Sequence, residues 1–163
     1  LGHSRIGYIN GPENVIPSQE RRKGYKNALS QHGIAFDPVL VKNGEWEDPA
    51  SGYRATREFM ALPEPPTAIF AANDVMASGV LEAASDLKVR VPEDLSVLGY
   101  DDRDMARFLK PALTTVKLPM TDIGSTAAQM LIDCVETGQT MIDSTYVPCK
   151  LIIRDSCCAV TQR

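Results

Sequence analysis

The sequence predicts an α/β fold built on a doubly wound, mainly parallel β-sheet. The first observation behind this prediction is that short apolar runs alternate with longer segments of helical periodicity from one end of the chain to the other. Strands and helices in this order form βαβ units, whose right-handed crossovers place helices on both faces of a parallel sheet. The second observation is composition: 163 residues, 44% hydrophobic and 23% charged, suffice for one globular core without disulfides.

The first half of the chain contains three predicted strands and three predicted helices, each with a recognisable boundary. Asn10-Gly11-Pro12 ends the first strand, and Ser18 is expected to open the first helix. Gly33 stands where a glycine commonly ends a helix, and a proline cluster at 63–66 stops the second helix. The predicted strands are 6–9, 39–41 and 68–71, and the predicted helices are 18–31, 49–62 and 74–87.

The second half continues the alternation up to a soft boundary at about 111–119. Asp101-Asp102 closes the fourth strand, Pro111 precedes the fifth, and Gly138 ends the last helix. The predicted strands are 95–100, 113–116, 146–147 and 150–153, with a short helical piece at 105–109 and a helix at 121–137. The fold is therefore expected to include one segment that leaves the main sheet and returns to it.

Charge and cysteine usage exclude several classes of function for the chain itself. The net charge of −4 and the pI near 5.2 argue against a nucleic-acid-binding face and against an anionic membrane surface. No apolar stretch is long enough to span a bilayer, and no secretory segment opens the chain. The four cysteines form no disulfide or zinc pattern, so reduced thiols in the cytoplasm are expected. Because the chain opens without methionine, we expect it to be a piece of a longer protein.

Catalytic motifs are weak throughout, so no enzyme, metal site or cofactor is predicted. The glycines after the first strand lack the dinucleotide-binding spacing, and neither a phosphate-binding lysine loop nor a nucleophile elbow occurs. His3 lies at the terminus and His32 at the end of a helix, where a surface or capping role is expected.

Polar side chains follow four of the predicted strands, where ligands bind in open α/β sheets. Arg21, Trp46, Asn73 and Asp101 offer a guanidinium, an indole, an amide and a carboxylate. This set suits a small polyhydroxylated ligand, because the planar polar groups bind hydroxyls while the indole packs on a ring face. Each residue also has a structural alternative: Asn73 as a helix cap, Trp46 as a core residue, Arg21 as a solvated helix charge and Asp101 as a residue with a core role.

Six stretches, taken together, resemble the effector-binding domain of the LacI/GalR family of bacterial repressors. They read GHSRIGYI, RRKGY, PTAIFAANDVMA, VPEDLSVLGYDD, PALTTV and LIIRDS, and they cover nearly the whole chain. The resemblance implies a type I periplasmic-binding-protein-like lobe, part of a two-lobed sensor that follows a helix-turn-helix. Residues 1–118 would form the C-terminal lobe, 119–148 a helix and strand of the N-terminal lobe, and 149–163 the return strand and tail.

The resemblance also implies a role for each candidate ligand residue. Arg21 matches an arginine that holds ligand hydroxyls or a carboxylate, and Trp46 matches an aromatic position that packs on the ligand. Asn73 matches a polar contact at a helix start, and Asp101 matches a carboxylate that accepts ligand hydrogen bonds. Leu118 departs from the pattern, because several family members place a glutamine there.

The implied function is effector sensing without catalysis. The expected partners are a sugar or purine-like effector, operator DNA contacted only through the missing N-terminal domain, and a second copy of the protein. The resemblance places the twofold contact on the third helix, with Met76, Val80 and Ala83 as interface residues. A periplasmic sugar-binding protein of a transport system is the alternative.

The last predicted helix carries an apolar stripe that has no evident partner in the chain. Its members are Met120, Ile123, Ala127, Met130, Leu131 and Cys134. We expect the helix either to dock back on its own lobe or, preferentially, to pair with another copy.

Overall fold

The computed structural model describes residues 1–138 and 144–160 and confirms the α/β prediction. Six strands form one sheet in the order β2-β1-β3-β4-β5-β6, in which only the β5–β6 pair is antiparallel. The strands are β1 (Ile6–Asn10), β2 (Val41–Asn43), β3 (Ala68–Ala71), β4 (Ser96–Asp101), β5 (Thr114–Lys117) and β6 (Lys150–Ile152). The helices are α1 (Ile16–Gln31), α2 (Pro49–Met60), α3 (Asp74–Asp86) and α4 (Met120–Thr137).

Helices cover both faces of the sheet, as the doubly wound pattern requires. On one face, the Tyr8 ring of β1 stacks on the Tyr25 ring of α1 with 4.8 Å between centroids. On the other face, Phe59 of α2 lies against Gly7 and Ile69. Successive residues of a strand point to opposite faces, so β1 delivers side chains to both layers of the core.

Helices α2 and α3 pack with their backbones almost in contact at two glycines. A Cβ atom added at Gly52 would overlap the Met76 carbonyl oxygen, and one added at Gly79 would overlap the Pro49 carbonyl oxygen. Both carbonyl oxygens belong to the backbone and cannot turn aside as a side chain would. The two glycines therefore set the distance between these helices.

The predicted dimer interface is corrected by this packing. Met76, Val80 and Ala83 have no exposed surface, because their side chains are buried within the chain itself. The family resemblance assigned these side chains to a twofold contact, but they lie on the inner face of the third helix. These three side chains therefore cannot meet a second copy.

Most predicted elements end within two residues of the observed ones, and three departures from the prediction have a local reason. Helix α1 begins at Ile16, and its N-cap is Val15, so Ser18 lies inside the helix and does not open it. Residues Pro38–Leu40 form a 3₁₀ turn, which moves the second strand two residues onward. The strand predicted at 146–147 is absent, since the backbone there pairs with no neighbouring strand and Tyr146 is fully exposed.

Helix α4 extends from the sheet edge without a covering partner. None of its residues is buried, and its large apolar side chains include Met120 at 67% and Leu131 at 61% exposure. The alternative in which this helix docks back on its own lobe is therefore wrong for this structure. Among the described residues, no helix combines the length and the apolar content that crossing a membrane requires.

The exposed face of α4 predicts that residues 1–163 associate when produced alone. Apolar surface of this kind gains free energy by leaving water, so light scattering across a dilution series should show self-association and a hydrophobic dye should bind. Replacing Ile123 and Leu131 together by aspartate should reduce both signals, whereas Gln129→Asp on the same helix should not. A monomer that binds no dye at any concentration would contradict this expectation.

Candidate ligand-binding site

The carboxyl ends of the parallel strands bring together the side chains predicted to bind a ligand. Arg21 reaches this edge from the second turn of α1, and Trp46 reaches it from the loop after β2. Asn73 follows β3, and Asp101 is the last residue of β4. The edge is the usual ligand site of an open α/β sheet, because the loops converge there and the strand ends are accessible.

Arg21 lies at the centre of the site and contacts three of its loops. Its guanidinium carbon lies 4.1 Å from the centroid of the Tyr100 ring and 5.1 Å from that of Trp46. Its Nη1 donates to the Ala72 carbonyl at 3.2 Å, and its Nη2 lies 3.8 Å from Oδ1 of Asp101. Cation–π and charge contacts of this kind hold a flexible side chain in one orientation, so the guanidinium is positioned before a ligand arrives.

Asp101 is a half-buried carboxylate placed on a sharply turned backbone. Its φ of 110° and that of Asp102 at 57° are both positive, which turns consecutive side chains in different directions. Burial raises the pKa of Asp101, and the neighbouring Arg21 charge opposes that rise. Asp102 instead accepts a hydrogen bond from Arg154 at 2.6 Å, away from Arg21. The structure thus separates the two acids into one site residue and one structural residue.

An ion pair between two loops closes one side of the site. The two terminal guanidinium nitrogens of Arg103, Nη1 and Nη2, donate to the Glu47 carboxylate, one of them at 2.6 Å. The pair joins the loop after β2, which carries Trp46, to the loop after β4, which directly follows Asp101. Because the contact is bidentate, it fixes the relative orientation of the loops as well as their distance.

Asn73 is the N-cap of α3, which is the helix-cap role predicted as the structural alternative to ligand binding. Its Oδ1 accepts from the Met76 amide at 2.8 Å, and the residue is only 2% exposed. The next residue, Asp74, is fully buried: its Oδ1 accepts from the Thr115 hydroxyl at 2.6 Å and its Oδ2 from the Arg103 amide at 2.7 Å. Burial raises the pKa of Asp74. Asp74 therefore anchors the loop that presents Asp101.

Replacing Asp74 by alanine should lower the free energy of unfolding by about 2–4 kcal/mol, because two buried donors lose their acceptor. Urea unfolding measures this change. Glu82→Ala, an exposed acid on the same helix, is the matched control and should be nearly neutral. Equal midpoints for Asp74→Ala and the wild type would refute the anchoring role.

The structure places three of the four predicted ligand residues in one cluster. Arg21 contacts both Trp46 and Asp101 directly. Asn73 is connected to Arg21 only through the carbonyl of its neighbour Ala72, which accepts from Arg21. Sequence reasoning missed the role of Tyr100 as the ring under Arg21 and missed the Glu47–Arg103 pair. Tyr100 could have been found from its place before Asp101 at the end of a strand, but no local pattern links residues 47 and 103.

The histidines and three of the four thiols lie outside this cluster, whereas the Sγ of Cys149 lies 4.0 Å from the Tyr100 hydroxyl. The His3 ring contacts the Thr67 hydroxyl and the Cys158 carbonyl, and His32 contacts the Ala28 carbonyl at the end of α1. All four cysteines are free. In the part of the chain that the structure describes, no group of three or more histidine, cysteine or acidic side chains is arranged to hold a metal ion.

Comparisons with known proteins agree with this architecture. Residues 1–157 match the family model of the periplasmic binding protein-like domain. The HTH-type transcriptional repressor CytR of Escherichia coli K12 is 41% identical over 155 residues, which are 95% of this chain and 45% of that protein. The chain thus spans less than half the length of this relative.

Solved structures of regulators have the same fold. The lac repressor dimer bound to operator and the anti-inducer ONPF gives a TM-score of 0.88 at 31% identity, covering 98% of this chain and 54% of that one. The complex of the transcriptional regulator CelR with cellobiose gives a TM-score of 0.85 at 35% identity, covering 95% and 47% respectively. This chain therefore belongs to the family of periplasmic binding protein-like domains, in the form found in LacI-type transcriptional regulators.

Proposed function

We propose that this chain is the effector-sensing part of a LacI-type transcriptional repressor and that it binds a sugar or purine-like effector without catalysis. The observation that carries the proposal is the Arg21 guanidinium held between two aromatic rings beside Asp101. The relatives that match the chain are transcriptional repressors, which supports sensing over catalysis.

The chemistry of the cluster suits a compact ring compound that carries hydroxyl groups. Arg21 donates to ligand oxygens, Asp101 accepts from ligand hydroxyls, and Trp46 packs against the ring. Asn73 contributes its amide nitrogen, because its amide oxygen already caps α3. The regulator CelR, which has this fold, was solved with cellobiose, and this supports a sugar as the first class to test.

The proposed mechanism is a shift between two arrangements of a two-lobed protein. Residues 1–118 form one lobe, and 119–148 belong to the other, whose main body lies outside this chain. The effector stabilises one arrangement through its higher affinity for it, typically by about 1–3 kcal/mol of coupling. That shift changes the spacing of two helix-turn-helix heads in a cytoplasmic homodimer and so controls operator binding.

A periplasmic sugar-binding protein would use the same fold and the same cleft. Two observations favour the repressor. The four cysteines are free, which suits a reducing compartment. The matching relatives regulate transcription.

A thermal-shift screen of the intact protein tests this proposal. Sugars, sugar phosphates, nucleosides and purines are added in turn, and one class is expected to raise the unfolding temperature, since a ligand that binds the folded state stabilises it. The same compound should change the retention of promoter DNA from the gene's own neighbourhood. Stabilisation without any effect on DNA binding would favour the transport alternative, and no stabilisation by any class would refute effector sensing.

A further inference from the structure

Ser18 on α1 carries a buried hydroxyl that no other group satisfies. The residue is fully buried, and among the described residues its Oγ has no hydrogen-bond partner. Ser18 is the third residue of α1. The N-cap of this helix is Val15, the residue before its first turn, so the Ser18 hydroxyl does not cap the helix. Buried hydroxyl groups nearly always have a partner, because an unpaired one loses its hydrogen bonds to water.

The unpaired hydroxyl lies directly against the candidate site. A Cβ atom added at Gly11 would be 2.6 Å from the Ser18 hydroxyl and closer still to the Trp46 ring. Both groups therefore approach the same point at the end of β1. Trp46 is the aromatic residue whose ring lies 5.1 Å from the Arg21 guanidinium carbon. The hydroxyl is thus adjacent to the residues proposed to hold the ligand.

A second unpaired polar atom extends the same patch. The Nε of Arg22 is buried without a hydrogen-bond partner, while its Nη1 pairs with Glu13 at 2.9 Å. Residues four apart lie side by side on a helix, so Arg22 is next to Ser18 on α1, while the end of its guanidinium pairs with Glu13 at the surface. Together they offer two N–H or O–H donors that a ligand oxygen would satisfy.

We propose that Ser18 is a specificity-determining contact of the effector site, a role that rests on the proposed sensing function. When the ligand enters, the Trp46 ring shifts from the end of β1 and packs on the ligand ring, and the Ser18 hydroxyl donates to a hydroxyl or carbonyl oxygen of the ligand. The site then selects ring compounds that carry an oxygen at this position. A site with a buried polar group discriminates strongly against an analogue that lacks the matching group, because that group is again left unpaired.

The test compares Ser18→Ala with Ser30→Ala, an exposed serine on the same helix, in the intact protein. Cellobiose, ribose, cytidine and guanine are titrated by calorimetry. The compound that binds the wild type should bind Ser18→Ala about five- to tenfold more weakly and Ser30→Ala equally well. Urea unfolding without ligand should show Ser18→Ala to be as stable as the wild type or more so, since an unpaired hydroxyl has been removed. The emission of Trp46, taken as the difference from a Trp46→Phe variant, should change on binding.

Unchanged affinity of Ser18→Ala for a compound that binds the wild type would overturn the inference and leave the sensing function intact. A loss of stability in Ser18→Ala without ligand would also overturn it, because the hydroxyl would then have a structural partner. Unchanged Trp46 emission on binding would refute the movement of the ring. Failure of all four compounds to bind the wild type would count against the proposed function itself, and against this inference with it.

Discussion

Replacing Arg21 by alanine is expected to weaken effector binding at least about tenfold, and Asp101→Ala should have an effect of the same size. Hydrogen bonds to charged groups contribute about 1.5–3 kcal/mol, and 1.4 kcal/mol corresponds to a factor of ten in affinity. Removing Arg21 also takes away the cation that lies against Trp46 and Tyr100, so both rings lose their fixed spacing. Calorimetry on the intact protein with the compound identified in the screen measures the loss.

Arg57→Ala is the matched control for Arg21, because Arg57 is an exposed arginine on α2 whose partner is Tyr53 on the same helix. It should bind as the wild type does. Wild-type affinity in Arg21→Ala would refute the assignment of the site. If Asp101→Ala unfolds under conditions in which the wild type is folded, Asp101 has a structural role instead.

Alanine at Gly52 or at Gly79 is expected to lower the free energy of unfolding by about 3 kcal/mol, at the upper end of the usual cost of overpacking. At each position the added methyl group would overlap a backbone carbonyl oxygen of the facing helix. Helices α2 and α3 would have to move apart, and Met76 and Val80 between them would lose contacts. Urea unfolding of both variants measures the change.

Gly24→Ala supplies the control for these substitutions. Gly24 also lies inside a helix, but an added Cβ atom there meets nothing within 4 Å. Alanine is the better helix former by about 1 kcal/mol, so this variant should be as stable as the wild type or more so. If all three variants have the same stability, close packing of α2 and α3 is not what requires glycine.

The order of the elements was predictable because it depends on local patterns. Breakers and caps ended most elements within one or two residues of their observed ends, as Gly33 and Gly138 show with their positive φ values. Predictions failed where a partner decides the outcome. The strand expected at 146–147 has no neighbouring strand to pair with among the described residues. At residues 38–40 the Val39 amide donates to the Asp37 carboxylate, which stabilises a turn where a strand was expected.

The residues of the candidate site also fall into two groups, those that local sequence patterns predicted and those whose role depends on distant contacts. Arg21 and Asp101 were predictable because each stands at a strand end or helix start that the topology brings to one edge. The pairing of Glu47 with Arg103 was not, because the residues are 56 positions apart and the two loops meet only in the folded chain. The assignment of Met76 to a dimer interface failed for a related reason. An apolar helix face has the same sequence pattern whether it packs against another element of its own chain or against a second copy of the protein.

The antiparallel strand β6 determines how the site connects to the rest of the protein. Asp101 is in register with Lys117 of β5, and Lys117 is in register with Lys150 of β6. Neighbouring strands are about 4.8 Å apart, so the points where the chain leaves the sheet after β5 and re-enters it at β6 lie about 5 and 10 Å from Asp101 along one row of the sheet. Both connections are thus anchored beside the carboxylate. In the proposed two-lobed protein, an effector held by Asp101 would therefore act at the base of both links between the lobes.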